Sequence, residues 1–282
     1  MITISAPAKI NLTLDVLGKR ADGYHEIRTV LQTVSLADTL SFETSDRFEF
    51  YSDSTDWAGE KSLVSEAATL IKEKTGTTKG ASVFVQKRIP LLSGLGGDSS
   101  DAAAALMGLN KLWRLGLTLE ALLPLASKLG SDVPFFLYGG TALGSGRGEI
   151  ITRLSAAVRL WLVLAVPPLT RLPGKTKQLY QSLKPNHYTD GSITQRLVEA
   201  LESKGDGFDP SLVFNTFENV AFEQYAGLDT VRQHLLKMGA PNVHLAGSGP
   251  TLFTMLQDKE RANDLFERVR GQRLQTYLAE TI

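Results

Sequence analysis

Apolar and polar residues alternate from Ile10 to Val16, with Ile10, Leu12, Leu14 and Val16 interleaved with Asn11, Thr13 and Asp15. That period of two predicts a strand with one buried face. Asp22-Gly23 supplies a turn, and apolar or β-branched runs at Ile27 to Leu36, Thr39 to Phe42 and Phe48 to Tyr51 predict further strands joined by short polar segments. The period changes after Ser62. Leu63, Val64, Ala67, Leu70 and Ile71 fall on one stripe of a helix that Ser62 can cap and Gly76 can end. A strand from Ser82 to Ile89 follows, then Pro90 and a glycine-rich loop, a helix from about Ser99 to Trp113, and another beginning near Thr118.

Beyond Gly144 to Gly148 a buried-type strand is expected from Leu160 to Val166, closed by Pro167-Pro168. Helical stretches then run to Gly239, followed by strands at Val243 to Ala246 and Thr251 to Leu256, a helix from Lys259 to Val269 and a last strand near Leu274. Strands and helices are partly segregated, which predicts an α+β protein of two domains, 1–153 and 154–282, with a boundary around Arg153. No internal repeat or low-complexity segment interrupts this order.

Composition narrows the function. The 282 residues are 43% hydrophobic, enough for a substantial core in one or two domains. Lys plus Arg and Asp plus Glu both number 30, so no net field collects nucleic acid or an anionic membrane, and neither partner is expected. Lys72, Lys74, Lys87 and Arg88 form only short pairs, the pattern of a solvated face. The absence of cysteine excludes disulfides, thiolate metal sites and cysteine nucleophiles, and fits a reducing cytoplasm. Leu160 to Val166 is too short to span a bilayer, and Met1 to Leu12 lacks the pattern of a leader, so a soluble protein is expected.

The strongest local signal is Pro90-Leu91-Leu92-Ser93-Gly94-Leu95-Gly96-Gly97-Asp98-Ser99-Ser100-Asp101, between a predicted strand and a predicted helix. Glycines let backbone N–H groups approach an anion, and a helix start adds unpaired donors and the positive end of its dipole. Ser99 and Ser100 add hydroxyls, so the segment reads as a phosphate cradle; the alternative is a tight connection whose serines merely cap the helix. A dinucleotide fingerprint fails, because its third glycine falls on Ser99. Gly174-Lys175-Thr176 imitates the end of a Walker A loop, yet the position that requires the earlier glycine is Leu169.

Three segments, Pro7-Ala8-Lys9-Ile10-Asn11-Leu12, Pro90 to Ala102, and Leu245-Ala246-Gly247-Ser248-Gly249-Pro250-Thr251, resemble in order the three motifs of the GHMP kinase superfamily. Gly18 to Glu26, with Tyr24-His25 near its end, and Gly130-Ser131-Asp132-Val133-Pro134 resemble the branch that phosphorylates the 2-hydroxyl of 4-diphosphocytidyl-2-C-methyl-D-erythritol in the non-mevalonate isoprenoid pathway. The likeness is weakest between Thr189 and Asn242. It implies an N-terminal ATP-binding domain with a left-handed β-α-β crossover and a C-terminal α+β sandwich. It also implies ATP as co-substrate, Mg2+ carried with ATP, a small-molecule acceptor with a cytidine diphosphate group, and a monomer or homodimer.

Phosphoryl transfer requires mainly alignment and charge stabilisation, so one carboxylate, one cation and a phosphate cradle are expected. By resemblance Asp132 accepts the proton of the acceptor hydroxyl and Lys9 stabilises developing charge on oxygen. The residues alone leave Asp132 open to being a turn or capping aspartate and Lys9 a surface charge. Cytosine needs hydrogen-bonding groups and an aromatic face, which Tyr24 and His25 offer, with Tyr180 as the second stacking aromatic of the family and Thr176 one helical turn before it. His25 also reads as a turn residue, Tyr180 as helix core, and Asn11, implied to point at the substrate, as an ordinary polar strand residue. Gly247, Ser248 and Gly249 are placed by the resemblance near the phosphates.

Asp98 departs from the family, which more often has a small residue there. A carboxylate inside a phosphate loop repels its ligand by about 1 kcal/mol at roughly 4 Å even in bulk water, so Asp98 is expected to point away or to face magnesium. No carboxylate cluster with metal spacing is visible, and Ser100 is the expected protein contribution to the ion. A homoserine or mevalonate kinase, or a silent nucleotide-binding protein on the same scaffold, are the competing readings. Tyr24-His25 argues against the first and the pair Lys9 and Asp132 against the second.

Overall fold

A computed structural model describes residues 1–155, 159–169, 174–203, 208–272 and 274–282. Contacts between Cα atoms divide the chain into two compact units, one of Met1–Ala8, Ala37–Leu91 and Gly96–Gly139, the other of Lys9–Leu36, Leu92–Leu95 and Gly140–Ile282. Strands β1 (Ile2–Lys19) and β2 (His25–Ser45) contribute residues to both. The runs Ile27 to Leu36 and Thr39 to Phe42, expected as separate strands, are one strand, because the intervening Ala37-Asp38 contains no glycine or proline to turn the chain.

The first unit also holds β3 (Phe48–Ser52), α1 (Leu63–Thr75), β4 (Gly80–Gln86), α2 (Gly97–Trp113), α3 (Leu119–Leu129) and α4 (Val133–Tyr138). Residues Thr39 to Ser45 of β2 pair antiparallel with β4, and β3 pairs parallel with β4, with α1 as the crossover. Ser62 caps α1 by accepting the Ser65 N–H at 3.2 Å, and Gly76 closes it at φ 68°, as the sequence predicts. Thr118 caps α3 in the same way. Helix α2 buries Ala102 to Leu106 and Leu109, and the Trp113 indole donates to Gly80 O at 3.1 Å. Helix α4 is absent from the sequence expectation, since six residues after a Gly-Ser-Asp turn are too few to show a helical period.

Lys87 overturns its reading as a solvated charge. Its Nζ donates to Asp38 Oδ2 at 2.6 Å and to Asp101 Oδ2 at 2.7 Å, and all three side chains are at most 5% exposed. The other Asp38 oxygen accepts the N–H groups of Arg88 and Ile89, the latter at 2.8 Å. A lysine buried with two carboxylates is stabilised only because both partners are held in place, which a linear charge pattern does not reveal. Burial pushes the Asp101 carboxyl up to about 7, against the pull of Lys87 and with a further push from Asp38 and Asp98.

Asp101 therefore binds its proton more tightly folded than unfolded, where its value is 3.8. Its contribution to stability is complete below pH 4 or so and is lost as the pH rises towards about 7. Burial lowers Lys87 but its two carboxylates outweigh this and raise it, so its contribution persists through that window. Asp101→Asn is expected to flatten the fall in stability between these limits, read as the urea midpoint against pH. An unchanged slope would remove Asp101 as its source.

The second unit contains β5 (Thr141–Ser145), β6 (Ile150–Arg153), β7 (Trp161–Val166), α5 (Lys175–Ser182), α6 (Ser192–Glu202), β8 (Phe214–Asn215) and α7 (Glu218–Gln224). It continues through α8 (Leu228–Lys237), β9 (His244–Leu245), β10 (Leu252–Leu256), α9 (Lys259–Arg270) and β11 (Gln275–Glu280). An antiparallel sheet runs in the order β11-β7-β10-β9, and its Val163, Ala165, Leu245 and Leu252 join Leu179, Phe217, Leu235 and Leu265 in the core. Residues Thr29 to Gln32 of β2 pair with β5, which pairs with β6, and β1 pairs parallel with β8 through Thr13 and Leu14.

Strand β1 does not have one wet face. Asn11, Thr13 and Asp15 are buried along with the alternate apolar residues. The Asp15 carboxylate accepts from the Thr189 hydroxyl at 2.6 Å and from the Thr194 hydroxyl and N–H at 2.6 and 2.9 Å. These donors lie more than 170 residues away, so the alternation reports a polar interior rather than solvent.

Candidate active site

Lys9 and Asn11, two residues apart on β1, point to the same face. Lys9 is buried rather than a surface charge, with Nζ donating to Asn11 Oδ1 at 2.9 Å. The Asn11 amide donates to Thr29 Oγ1 at 2.8 Å, and that hydroxyl donates to Thr13 O at 2.6 Å. Asn11 thus links the lysine to Thr29.

The other two motif segments meet this strand within the second unit. Lys9 N–H donates to Leu95 O at 2.9 Å, and Thr251 N–H to Ser93 O at 3.2 Å. A Cβ added at Gly247 would lie 2.9 Å from Gly94 O, 3.3 Å from Lys9 Nζ and 3.4 Å from Asn11 Oδ1. Lys9, the Ser93 to Leu95 bend and Gly247 are therefore packed to contact distance. Asn215, on β8, holds the third segment by donating to Leu245 O at 2.9 Å and Gly247 O at 2.8 Å, and the Tyr225 hydroxyl donates to Ser248 O at 3.0 Å. Burial pushes that tyrosine up to about 12, so it remains a donor.

In the first unit the loop enters α2 two residues earlier than the sequence suggests. Gly96 is the N-cap, at φ 75° and with no side chain to cap, while Ser99 and Ser100 lie inside the first turn, where Ser100 N–H donates to Gly96 O at 2.9 Å. The serines are not caps. The first-turn N–H groups of Gly97, Asp98 and Ser99 have no intrahelical acceptor, which is the arrangement that attracts anions. Asp98 is exposed in that turn, where a carboxylate gains from the positive end of the helix dipole. Ser100 Oγ is buried without a hydrogen-bond partner among the described residues. Asp132 occupies the N-cap position of α4 in a helical conformation, and its side chain makes no capping hydrogen bond, so the capping alternative fails.

Of the three aromatic residues expected at the site, His25 and Tyr180 are brought together. His25, at the start of β2, stacks on Tyr180 of α5 with centroids 4.7 Å apart and planes at 18°. Tyr180 meets Phe217 edge-on at 4.8 Å, and Tyr188 meets His25 edge-on at 6.0 Å. His25 is lowered by burial and then by Lys19, which favours the neutral ring with both a donor and an acceptor. Tyr24 is 55% exposed on the preceding turn, with the Arg147 guanidinium 4.7 Å over its ring. Tyr188 and Phe217 carry no motif and escape a sequence reading.

Gly174-Lys175-Thr176 is not a Walker loop, but it is part of this assembly. Gly174 is the N-cap of α5, Thr176 Oγ1 lies 2.8 Å from Ser248 Oγ, and the buried Lys175 ammonium donates to Leu92 O and Gly249 O. Among the described residues no helix is long and apolar enough to cross a membrane, and no group of three or more His, Asp or Glu side chains could hold a metal ion.

The sequence matches the model of the GHMP kinases N terminal domain over residues 62–140 and that of the GHMP kinases C terminal domain over residues 195–273. It is 47% identical to a 4-diphosphocytidyl-2-C-methyl-D-erythritol kinase of Dehalococcoides mccartyi, over 100% of this chain and 99% of the relative. A Bacillus pumilus protein of the same name is 38% identical over 98% of this chain and 96% of its own length. A crystal structure of 4-(cytidine 5'-diphospho)-2C-methyl-D-erythritol kinase superposes with a TM-score of 0.84 at 32% identity, covering 99% of both chains.

Proposed function

Because this chain belongs to the GHMP kinases, and among them to the 4-diphosphocytidyl-2-C-methyl-D-erythritol kinase family, we propose that it transfers the γ-phosphoryl group of ATP to the 2-hydroxyl of 4-diphosphocytidyl-2-C-methyl-D-erythritol. The observation that carries this reading is the packing of Lys9, the Ser93 to Leu95 bend and Gly247 to contact distance within one unit. Three segments far apart in sequence converge there on one buried lysine, whose Nζ donates to Asn11 Oδ1 at 2.9 Å.

In this reading the bend from Pro90 to Ser100 wraps the polyphosphate, with the first-turn amides of α2 as donors; Gly247 and Gly249 pack on the Gly94 part of the bend. Asp132 takes the proton of the acceptor hydroxyl, and Lys9 stabilises the charge that develops on oxygen. Ser100 Oγ, buried and without a partner among the described residues, would be a ligand for Mg2+ carried with ATP, and the ion would supply shielding of the phosphate charge.

His25 and Tyr180 hold the cytosine end. Loss of a stacking face costs about 1–3 kcal/mol per base. Tyr180→Leu is therefore expected to raise KM for the acceptor by roughly tenfold or more while leaving KM for ATP within about twofold, in steady-state assays. Equal effects on both would remove Tyr180 from acceptor recognition. The reading as a whole is tested by incubating the chain with ATP, Mg2+ and alcohols that bear or lack the cytidine diphosphate group. ADP release with the cytidylyl substrate alone is the expected result, and turnover of homoserine or mevalonate instead would overturn it.

A further inference from the structure

Among the described residues only two non-glycine residues have positive φ, Arg114 at 55° and Leu92 at 53°. Arg114 is the C-cap of α2, where the left-handed conformation lets N–H groups reach the last carbonyls. Leu92 ends no helix. It lies in the glycine-rich bend and is 41% exposed.

A compensating contact is present. The Lys175 ammonium, 7% exposed in the first turn of α5, donates to Leu92 O and also to Gly249 O. The next carbonyl, Ser93 O, accepts Thr251 N–H at 3.2 Å. In a trans peptide the carbonyl and the following N–H point in opposite directions. Holding the Leu92 carbonyl towards Lys175 of α5 and the Ser93 carbonyl towards Thr251 therefore turns the Ser93 and Gly94 N–H groups the other way. We propose that Lys175 is a positioning residue for the nucleotide: its ammonium holds the Leu92-Ser93 peptide in the left-handed bend that presents the Ser93 amide to the polyphosphate. Thr176, beside it, meets Ser248, and Tyr180 one turn further on carries the aromatic stack, so a single short helix sets both the phosphate bend and the acceptor face.

This inference rests on the bend being the phosphate cradle of the kinase, and the test separates the two. Binding of a non-hydrolysable ATP analogue with Mg2+ is measured by calorimetry on the full chain, without acceptor, for the unmodified protein, Lys175→Met, Leu92→Gly and the double variant. The unmodified protein is expected to bind, and Lys175→Met to bind about tenfold more weakly, the scale of a left-handed penalty at a non-glycine residue. Glycine adopts that conformation freely, so the same lysine substitution made in the Leu92→Gly background is expected to weaken binding by no more than about twofold. In steady state, Lys175→Met raises KM for ATP more than it lowers kcat.

If the unmodified chain does not bind the analogue, the kinase reading itself falls. If it binds and Lys175→Met binds equally well, or the loss is the same with glycine at position 92, the positioning role is overturned. Should Lys175→Met fail to fold, the double variant is expected to fold and bind, because the strain it must hold is gone. A double variant that also fails to fold overturns the inference.

Discussion

Asp132→Asn is expected to lower kcat by about a thousandfold, within the roughly 10²–10⁴ range of a lost general base, while the ATP analogue still binds. The substitution keeps the shape of the side chain and removes its negative charge and with it the capacity to take a proton. Asparagine is nearly isosteric with aspartate and adopts the helical dihedrals of this position, so the fold is expected to be kept. Single-turnover kinetics with the cytidylyl acceptor, paired with calorimetry of the analogue, checks both halves of the expectation. Turnover within a few-fold of the unmodified protein would take Asp132 out of the base role and leave the nucleotide site standing.

Gly94→Ala is the second change with a large expected effect. A Cβ there would lie 2.2 Å from Ala246 O and 2.8 Å from both the N and O of Gly249, at φ 89°. The three nearest atoms are all backbone, so no rotamer relieves the collision and one of the two loops must move. Displacing them separates the bend from the third motif at the point where both pack on Lys9, and analogue affinity is expected to fall at least about a hundredfold, the scale of a misplacement near 1 Å. Gly116→Ala is the control: φ is 67° there as well, but a Cβ would meet nothing within 4 Å. It is expected to cost about 1–2 kcal/mol of stability and leave nucleotide binding unchanged. Equal loss of binding in the two variants would show that backbone strain rather than loop contact is responsible.

Some of this molecule is written in short windows. Ser62 and Gly76 delimit α1 and Thr118 starts α3, because a cap involves residues no more than four apart. The glycine-rich bend was legible for the same reason: strand, glycines and helix start are contiguous, and their chemistry is that of the local backbone. The order of the three motifs identifies the family, which the matched domains and relatives bear out.

Other features depend on partners that sequence distance hides. Lys87 and Lys9 look alike as charges, yet one is clamped by two buried carboxylates and the other by Asn11 beside Gly247. Lys175, set aside with a failed Walker pattern, reaches Leu92 and Gly249, residues 83 and 74 positions away. The polar face of β1 is dry because Thr189 and Thr194 cover Asp15.

The chain by itself determined where a strand, a glycine-rich bend and a helix start follow one another, since propensity, capping and glycine geometry act between near neighbours. Only the folded molecule decided which charges leave water and which peptide is held in a left-handed turn. Desolvation and strain depend on everything that packs around a group, and for Lys9, Lys87 and Leu92 the deciding contacts include atoms contributed by distant parts of the chain.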